Sequence, residues 1–135
     1  MTTDRGVIQN VARAQQVNDF RNLVYGKITP TDLDGLIEYH NKAYVFVEIK
    51  YKNKDVPFGQ RLAIERLVND LSGKKKCLAM ICEHDTRNTN EHVDVASCKV
   101  RQVYFSDELY WREPTHNITI KEAIDSFINL IEQRK

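Results

Sequence analysis

Glycine, proline and cysteine are scarce in this chain, and neither charge is in surplus. There are 5 Gly, 3 Pro and 3 Cys in 135 residues, and 20 Lys+Arg face 19 Asp+Glu. With 41% hydrophobic residues, so little Gly and Pro excludes a collagenous or low-complexity disordered chain. Cys77, Cys82 and Cys98 are an odd number without CxxC spacing, which suits reduced thiols in a cytoplasmic protein rather than a disulfide framework. A formal net charge of +1 supplies no global field for nucleic acid, so any such affinity must come from a local patch. No apolar run approaches the roughly 20 residues of a membrane-spanning helix. The opening MTTDRGVIQN has no apolar signal-peptide core. The expectation is one cytoplasmic domain over residues 1–135, without a membrane partner and large enough to bury a core.

What is present is an alternation of helical and strand patterns. Val7, Val11, Ala14 and Val17 recur at helical spacing and predict an opening helix. Phe20–Tyr25 reads as a short strand, punctuated by Gly26 and Pro30. Gly35–Tyr39 and Ala43–Tyr51 read as two strands joined by a turn at His40-Asn41-Lys42. Pro57 suits the first turn of a second helix, with Asp55 as its cap, Ile64, Leu67 and Leu71 as its buried stripe, and Gly73 closing it. Cys77–Cys82 (CLAMIC) is apolar on both faces, as in a covered central strand of parallel type. Asp85–Glu91 is a polar loop. Val93–Phe105 and Leu109–Arg112 read as a hairpin turning at Ser106-Asp107. Thr119 and Glu122 form a capping box for a last helix with Ile120, Ile124, Phe127 and Ile131 on one face. The fold class is therefore α/β.

The chemistry concentrates in Thr31–Tyr51, TDLDGLIEYHNKAYVFVEIKY. Glu48 and Lys50 are two apart in a strand and share a face. If the turn centres on Asn41, Asp34 lies opposite Glu48 and Asp32 opposite Lys50; a two-residue turn would instead send Asp34 to the other face. Carboxylates placed opposite one another repel, which is a poor choice for stability alone. A divalent cation relieves the repulsion, and carboxylate oxygens suit Mg²⁺. A cation held by Asp34, Glu48 and the backbone carbonyl of Ile49 is equipped for phosphodiester hydrolysis, with Lys50 orienting water or stabilising the transition state. Lys52, Lys54, Lys74, Lys75 and Lys76 are candidate phosphate contacts.

On these residues the chain resembles the PD-(D/E)XK nuclease superfamily. The resemblance covers roughly residues 7–83 and rests on an acidic residue entering one strand and Glu48-Ile49-Lys50 ending the next. It implies a restriction-endonuclease-like αβββαβ core with a mixed central sheet flanked by helices. The C-terminal hairpin and helix, about 92–133, lie outside that core. It also implies Mg²⁺ (or Mn²⁺ in its place) as cofactor and DNA as substrate, with structured or branched DNA in view and RNA left open. Homodimerisation and a bacterial or phage-infected cell are further implications. By the same likeness Asp34, Glu48, Lys50 and Gln60 are the catalytic set, and Asp32 an auxiliary. The first helix lacks the Glu that many members carry, a departure that keeps open a non-cleaving nucleic-acid-binding or phage inhibitor protein on the same scaffold.

Plainer roles stand beside these. Asp32 and Asp34 suit a turn after Pro30. Glu48 and Lys50 suit a surface ion pair, and Gln60 a helix start. Lys74–Lys76 suits a solvated turn. His84-Asp85 either approaches the site or forms an ordinary loop. Tyr104, Tyr110 and Trp111 either stack on bases or pack in the core. Cys82, His84, His92 and Cys98 are irregularly spaced for zinc and read better as core thiols and loop histidines.

Overall fold

A computed structural model describes Gly6, Ile8, residues 10–52 and residues 54–133. The chain divides into two compact units, Met1–Pro30 and Thr31–Lys135. Among its described residues the first unit holds one short helix, α1 (Val11–Gln15), whose N-cap Asn10 accepts the Arg13 N–H at 3.0 Å. None of its residues is buried. Val7, the expected start of this helix, lies outside the described residues. The expected strand Phe20–Tyr25 does not form. That stretch is a turn followed by an isolated bridge between Tyr25 and Ile28.

The second unit is a five-stranded mixed sheet in sequential order, β1 (Gly35–Tyr39), β2 (Ala43–Tyr51), β3 (Lys76–His84), β4 (Lys99–Phe105) and β5 (Trp111–Arg112). Among the described residues only β2 and β3 run parallel; their crossover contains α2 (Phe58–Leu71). The expected parallel central strand is therefore present, buried without interruption from Cys77 to Cys82. Side-chain alternation divides the core. Val45, Val47, Met80 and Val100 pack on one face with Ile120, Phe127 and Ile131 of α3 (Ile120–Gln133). Phe46, Ala79 and Tyr104 pack on the other with Ile64 and Val68 of α2.

The capping box of α3 is closed in both directions. The Glu122 N–H donates to Thr119 Oγ1 at 3.2 Å, and the Thr119 N–H donates to Glu122 Oε1 at 3.0 Å. Three expectations are corrected. The buried stripe of α2 is Gln60, Ile64 and Val68, whereas Leu67 is exposed and Leu71 only partly covered. Pro57, rather than Asp55, holds the N-cap position, with no side-chain cap bond. Ladder pairing in β4 begins at Lys99; the stretch before it contains a 3₁₀ turn at Val95–Ser97. Gly73 takes φ +89°, the left-handed position just beyond the end of α2.

Candidate functional site

The β1–β2 hairpin places the acidic residues. His40 and Asn41 take φ values of 48° and 58°, giving a three-residue connection that pairs Tyr39 with Ala43 and Gly35 with Val47. The ladder ends at that pair, and Asp34, the residue before it, lies close enough to Glu48 for its charge to act on that carboxyl. Asp34 is anchored at two points. Its N–H donates to the Val47 carbonyl at 3.2 Å, and its Oδ2 accepts the Ile49 N–H at 2.7 Å. The side chain thus takes over a ladder bond where β1 begins. The N–H and C=O of one strand residue point to the same side, so the Ile49 carbonyl is directed to the Asp34 side of β2.

Glu48 is only 2% exposed. Its Oε1 lies 3.1 Å from Lys50 Nζ, on a lysine side chain that is 24% exposed. Its Oε2 has no hydrogen-bond partner, the one such buried side-chain atom among the described residues. Burial pushes the Glu48 carboxyl above its usual range. The Lys50 ammonium opposes that shift, the Asp34 charge reinforces it, and the nearby Gln60 amide draws it down without completing a hydrogen bond to Oε2.

Gln60, in the first turn of α2, is buried and donates from Nε2 to the Asp32 carbonyl at 3.0 Å, with Asp32 Oδ1 at 3.5 Å. Asp32 is therefore tied to α2 rather than set opposite Lys50. The ladder stops at Gly35, and Lys50 pairs with Glu48 instead. Asp32, Asp34, Glu48, Lys50 and Gln60 are linked through these contacts at the C-terminal end of β2.

The five candidate phosphate-binding lysines separate. Lys52 and Lys54 are exposed just beyond β2. Lys76 is the register partner of Ala43, whereas Lys50 is the partner of Glu83. Lys74, Lys75 and Lys76 therefore lie at the opposite end of the sheet, about 23 Å away at the usual strand rise of about 3.3 Å per residue. Lys75 Nζ donates to the Asn41 carbonyl and, at 2.8 Å, to its side chain; Lys76 pairs with Asp107 at 2.5 Å. This end of the sheet is cross-linked by them, and the carboxylates are beyond their reach.

Tyr104 and Trp111 are structural. Tyr104 is buried and donates to Asn69 at 2.7 Å, and Trp111 Nε1 donates to Glu65 at 2.6 Å. Tyr110 is exposed. His84 projects from the opposite face to Glu48 and accepts the Thr86 N–H on Nδ1 at 3.2 Å. All three cysteines are buried free thiols, each pushed above its ordinary pKa by burial. Among the described residues, no three or more His, Cys, Asp or Glu side chains gather as a metal-binding cluster.

Two site-proximal residues escape sequence reasoning. Arg101 sits where the β3–β4 register shifts, between Cys82↔Val100 and Ile81↔Gln102, and its Nη1 donates to the Lys54 carbonyl at 2.8 Å. Nothing in sequence marks a bulge of this kind. Phe58 opens α2 and is 78% exposed. Its phase, off the Gln60–Ile64–Val68 stripe, is the signal that would have found it. No family model, curated protein or solved structure matches this chain. Among the described residues, no helix is long and apolar enough to cross a membrane.

Proposed function

We propose that this chain is a Mg²⁺-dependent nuclease that hydrolyses phosphodiester bonds in DNA, structured or branched DNA included. The observation that carries this proposal is Glu48 Oε2, a buried carboxylate oxygen without a partner, beside the Asp34 charge and the Lys50 ammonium. Protein interiors seldom leave such an atom unsatisfied unless a ligand or ion completes it. The donor set fits a hard cation: Asp34 and Glu48 carboxylates with the Ile49 carbonyl on the same side of β2. A divalent cation bound there supplies Lewis acidity toward a phosphate oxygen and lowers the pKa of a coordinated water. Lys50 places a positive charge next to Glu48, where it counters the repulsion between the carboxylates and the incoming phosphate. Gln60 fixes Asp32, and with it the entry to β1, so that Asp34 keeps its position. The likeness of Asp34 and Glu48-Ile49-Lys50 to the PD-(D/E)XK pattern supports the same assignment.

A second proposal, a nucleic-acid-binding protein without turnover, is favoured by one observation: no three or more His, Cys, Asp or Glu side chains gather as a metal-binding cluster among the described residues. Incubation with single-stranded, duplex, flap and four-way-junction DNA in Mg²⁺, Mn²⁺ or EDTA separates the two. Metal-dependent cutting that Glu48→Ala abolishes supports the nuclease. Binding without cutting in either metal supports the second proposal.

A further inference from the structure

The connector from β2 to α2 presents three exposed side chains that the carboxylate site does not use: Lys52, Lys54 and Phe58. The connector is held at both of its lysines. The Lys52 N–H donates to the His84 carbonyl at 2.7 Å, and the Lys54 carbonyl accepts Arg101 Nη1 at 2.8 Å. Lys52 takes φ 49°, so the chain turns sharply out of β2 there. The Arg101 bond comes from the one register shift in the β3–β4 ladder; bulges of this kind re-aim a side chain. These bonds tie Lys52 to the end of β3 and Lys54 to β4; both lysines are exposed, and the Lys52 ammonium lies 5.5 Å from the centre of the Tyr51 ring. Neither lysine forms an ion pair among the described residues, in contrast to Lys50 and Lys76; Asp55 is the one carboxylate in the same connector.

Lys52 is two residues past Lys50, about 7 Å along the strand direction. Phe58 stands two residues before Gln60, on the outward side of the helix start. Its ring is the most exposed of the large hydrophobic side chains described. An exposed ring four residues past Lys54 and six past Lys52, on one connector, is the combination that grips an unpaired nucleic-acid strand: ammonium groups on the backbone and an aromatic face on a base. Bases inside a duplex are covered by their neighbours and offer no face to such a ring.

Resting on the phosphodiester assignment of the adjoining site, we infer that Lys52, Lys54 and Phe58 bind single-stranded nucleic acid and lead it toward Glu48, with Arg101 as the positioning residue that holds the connector. The substrate class is then a strand with unpaired nucleotides at the site, such as a flap or a junction arm, rather than plain duplex.

Fluorescence anisotropy of the full chain with a labelled single-stranded oligonucleotide and its duplex, in EDTA, tests this, with cleavage of both measured in Mg²⁺. Phe58→Ala is expected to weaken single-strand binding about tenfold and leave duplex binding unchanged, with Phe58→Trp restoring it. Lys52→Ala and Lys54→Ala are each expected to lower the salt slope by ~0.7. If the wild type cuts DNA while all these variants bind and cut as it does, the connector assignment is overturned and the nuclease stands. If the wild type binds single strands with the expected variant pattern but never cuts, the connector stands and the nuclease falls. If it binds no nucleic acid, both fall.

Discussion

Asp34 Oδ2 accepts the backbone N–H of Ile49 at 2.7 Å, a side chain doing the work of a ladder carbonyl. That one bond ties Asp34 to β2 beyond the last register pair, Gly35↔Val47, and keeps its charge near the Glu48 carboxyl. Shape and charge are therefore separable at Asp34. Asparagine keeps an acceptor oxygen for Ile49 and removes the charge. Asp34→Asn is expected to melt within a few degrees of the wild type and to lose metal-dependent cleavage. Asp34→Ala is expected to cost about 1 kcal/mol as well. Paired thermal melts and cleavage assays check both. Full cleavage by Asp34→Asn removes this residue from the site.

Burial holds the Glu48 carboxyl above its ordinary value of 4.5. The native state thus keeps this proton more tightly than the unfolded chain. The resulting stabilisation is fully present below the unfolded value and is lost as pH rises through the raised one. Glutamine never ionises. Glu48→Gln is therefore expected to exceed the wild type in stability at about pH 8 and to converge with it near pH 4. Denaturant titration across that range checks the sign. A wild type that gains on Glu48→Gln as pH rises contradicts it.

Gln60 is buried for the sake of Asp32, whose backbone carbonyl takes the shorter of its two contacts. Gln60→Ala is expected to destabilise the fold by about 1–2 kcal/mol and to slow cleavage through a displaced β1 entry. Asp32→Asn leaves that carbonyl in place and is expected to hurt cleavage less than Asp34→Asn. A comparison of rates across the three variants decides the order. Asp32→Asn proving the more damaging exchanges the roles of the two aspartates.

Lys50 and Lys76 are both lysines in ion pairs, at opposite ends of the sheet. Lys50→Ala is expected to abolish cleavage while the protein stays folded. Lys75→Ala and Lys76→Ala are expected to leave cleavage and DNA affinity at wild-type levels, with only a small loss of stability from their half-exposed contacts. A clear affinity loss in either of the latter two would return this cluster to the binding surface.

The sequence made the hairpin legible because its turn chemistry and its polarity agree. His40-Asn41-Lys42 is the one polar break between two apolar runs, and Asn tolerates the left-handed backbone found there. The register from Gly35↔Val47 to Tyr39↔Ala43 follows from that break. The apolar run Cys77–Cys82 marked a strand covered on both faces, and Thr119 with Glu122 marked where α3 begins. The stripe of α2 was misplaced because its first buried residue is polar Gln60, which gives no hydrophobic signal. Phe20–Tyr25 has strand-forming residues but forms no ladder among the described residues, and local propensity is silent about partners. The charge of Lys74–Lys76 does not say which end of the sheet the run occupies. A parallel β3 must begin at the same end as β2, so the crossover carries that run to the far end.

Whether Glu48 Oε2 is a cation ligand is the point on which the account turns. Calorimetric titration of Mn²⁺ into the wild type, Glu48→Gln and Asp34→Asn at neutral pH measures it directly. Saturable binding in the wild type that is lost in both variants is the predicted result. Equal binding by all three proteins, or none by the wild type, would contradict it.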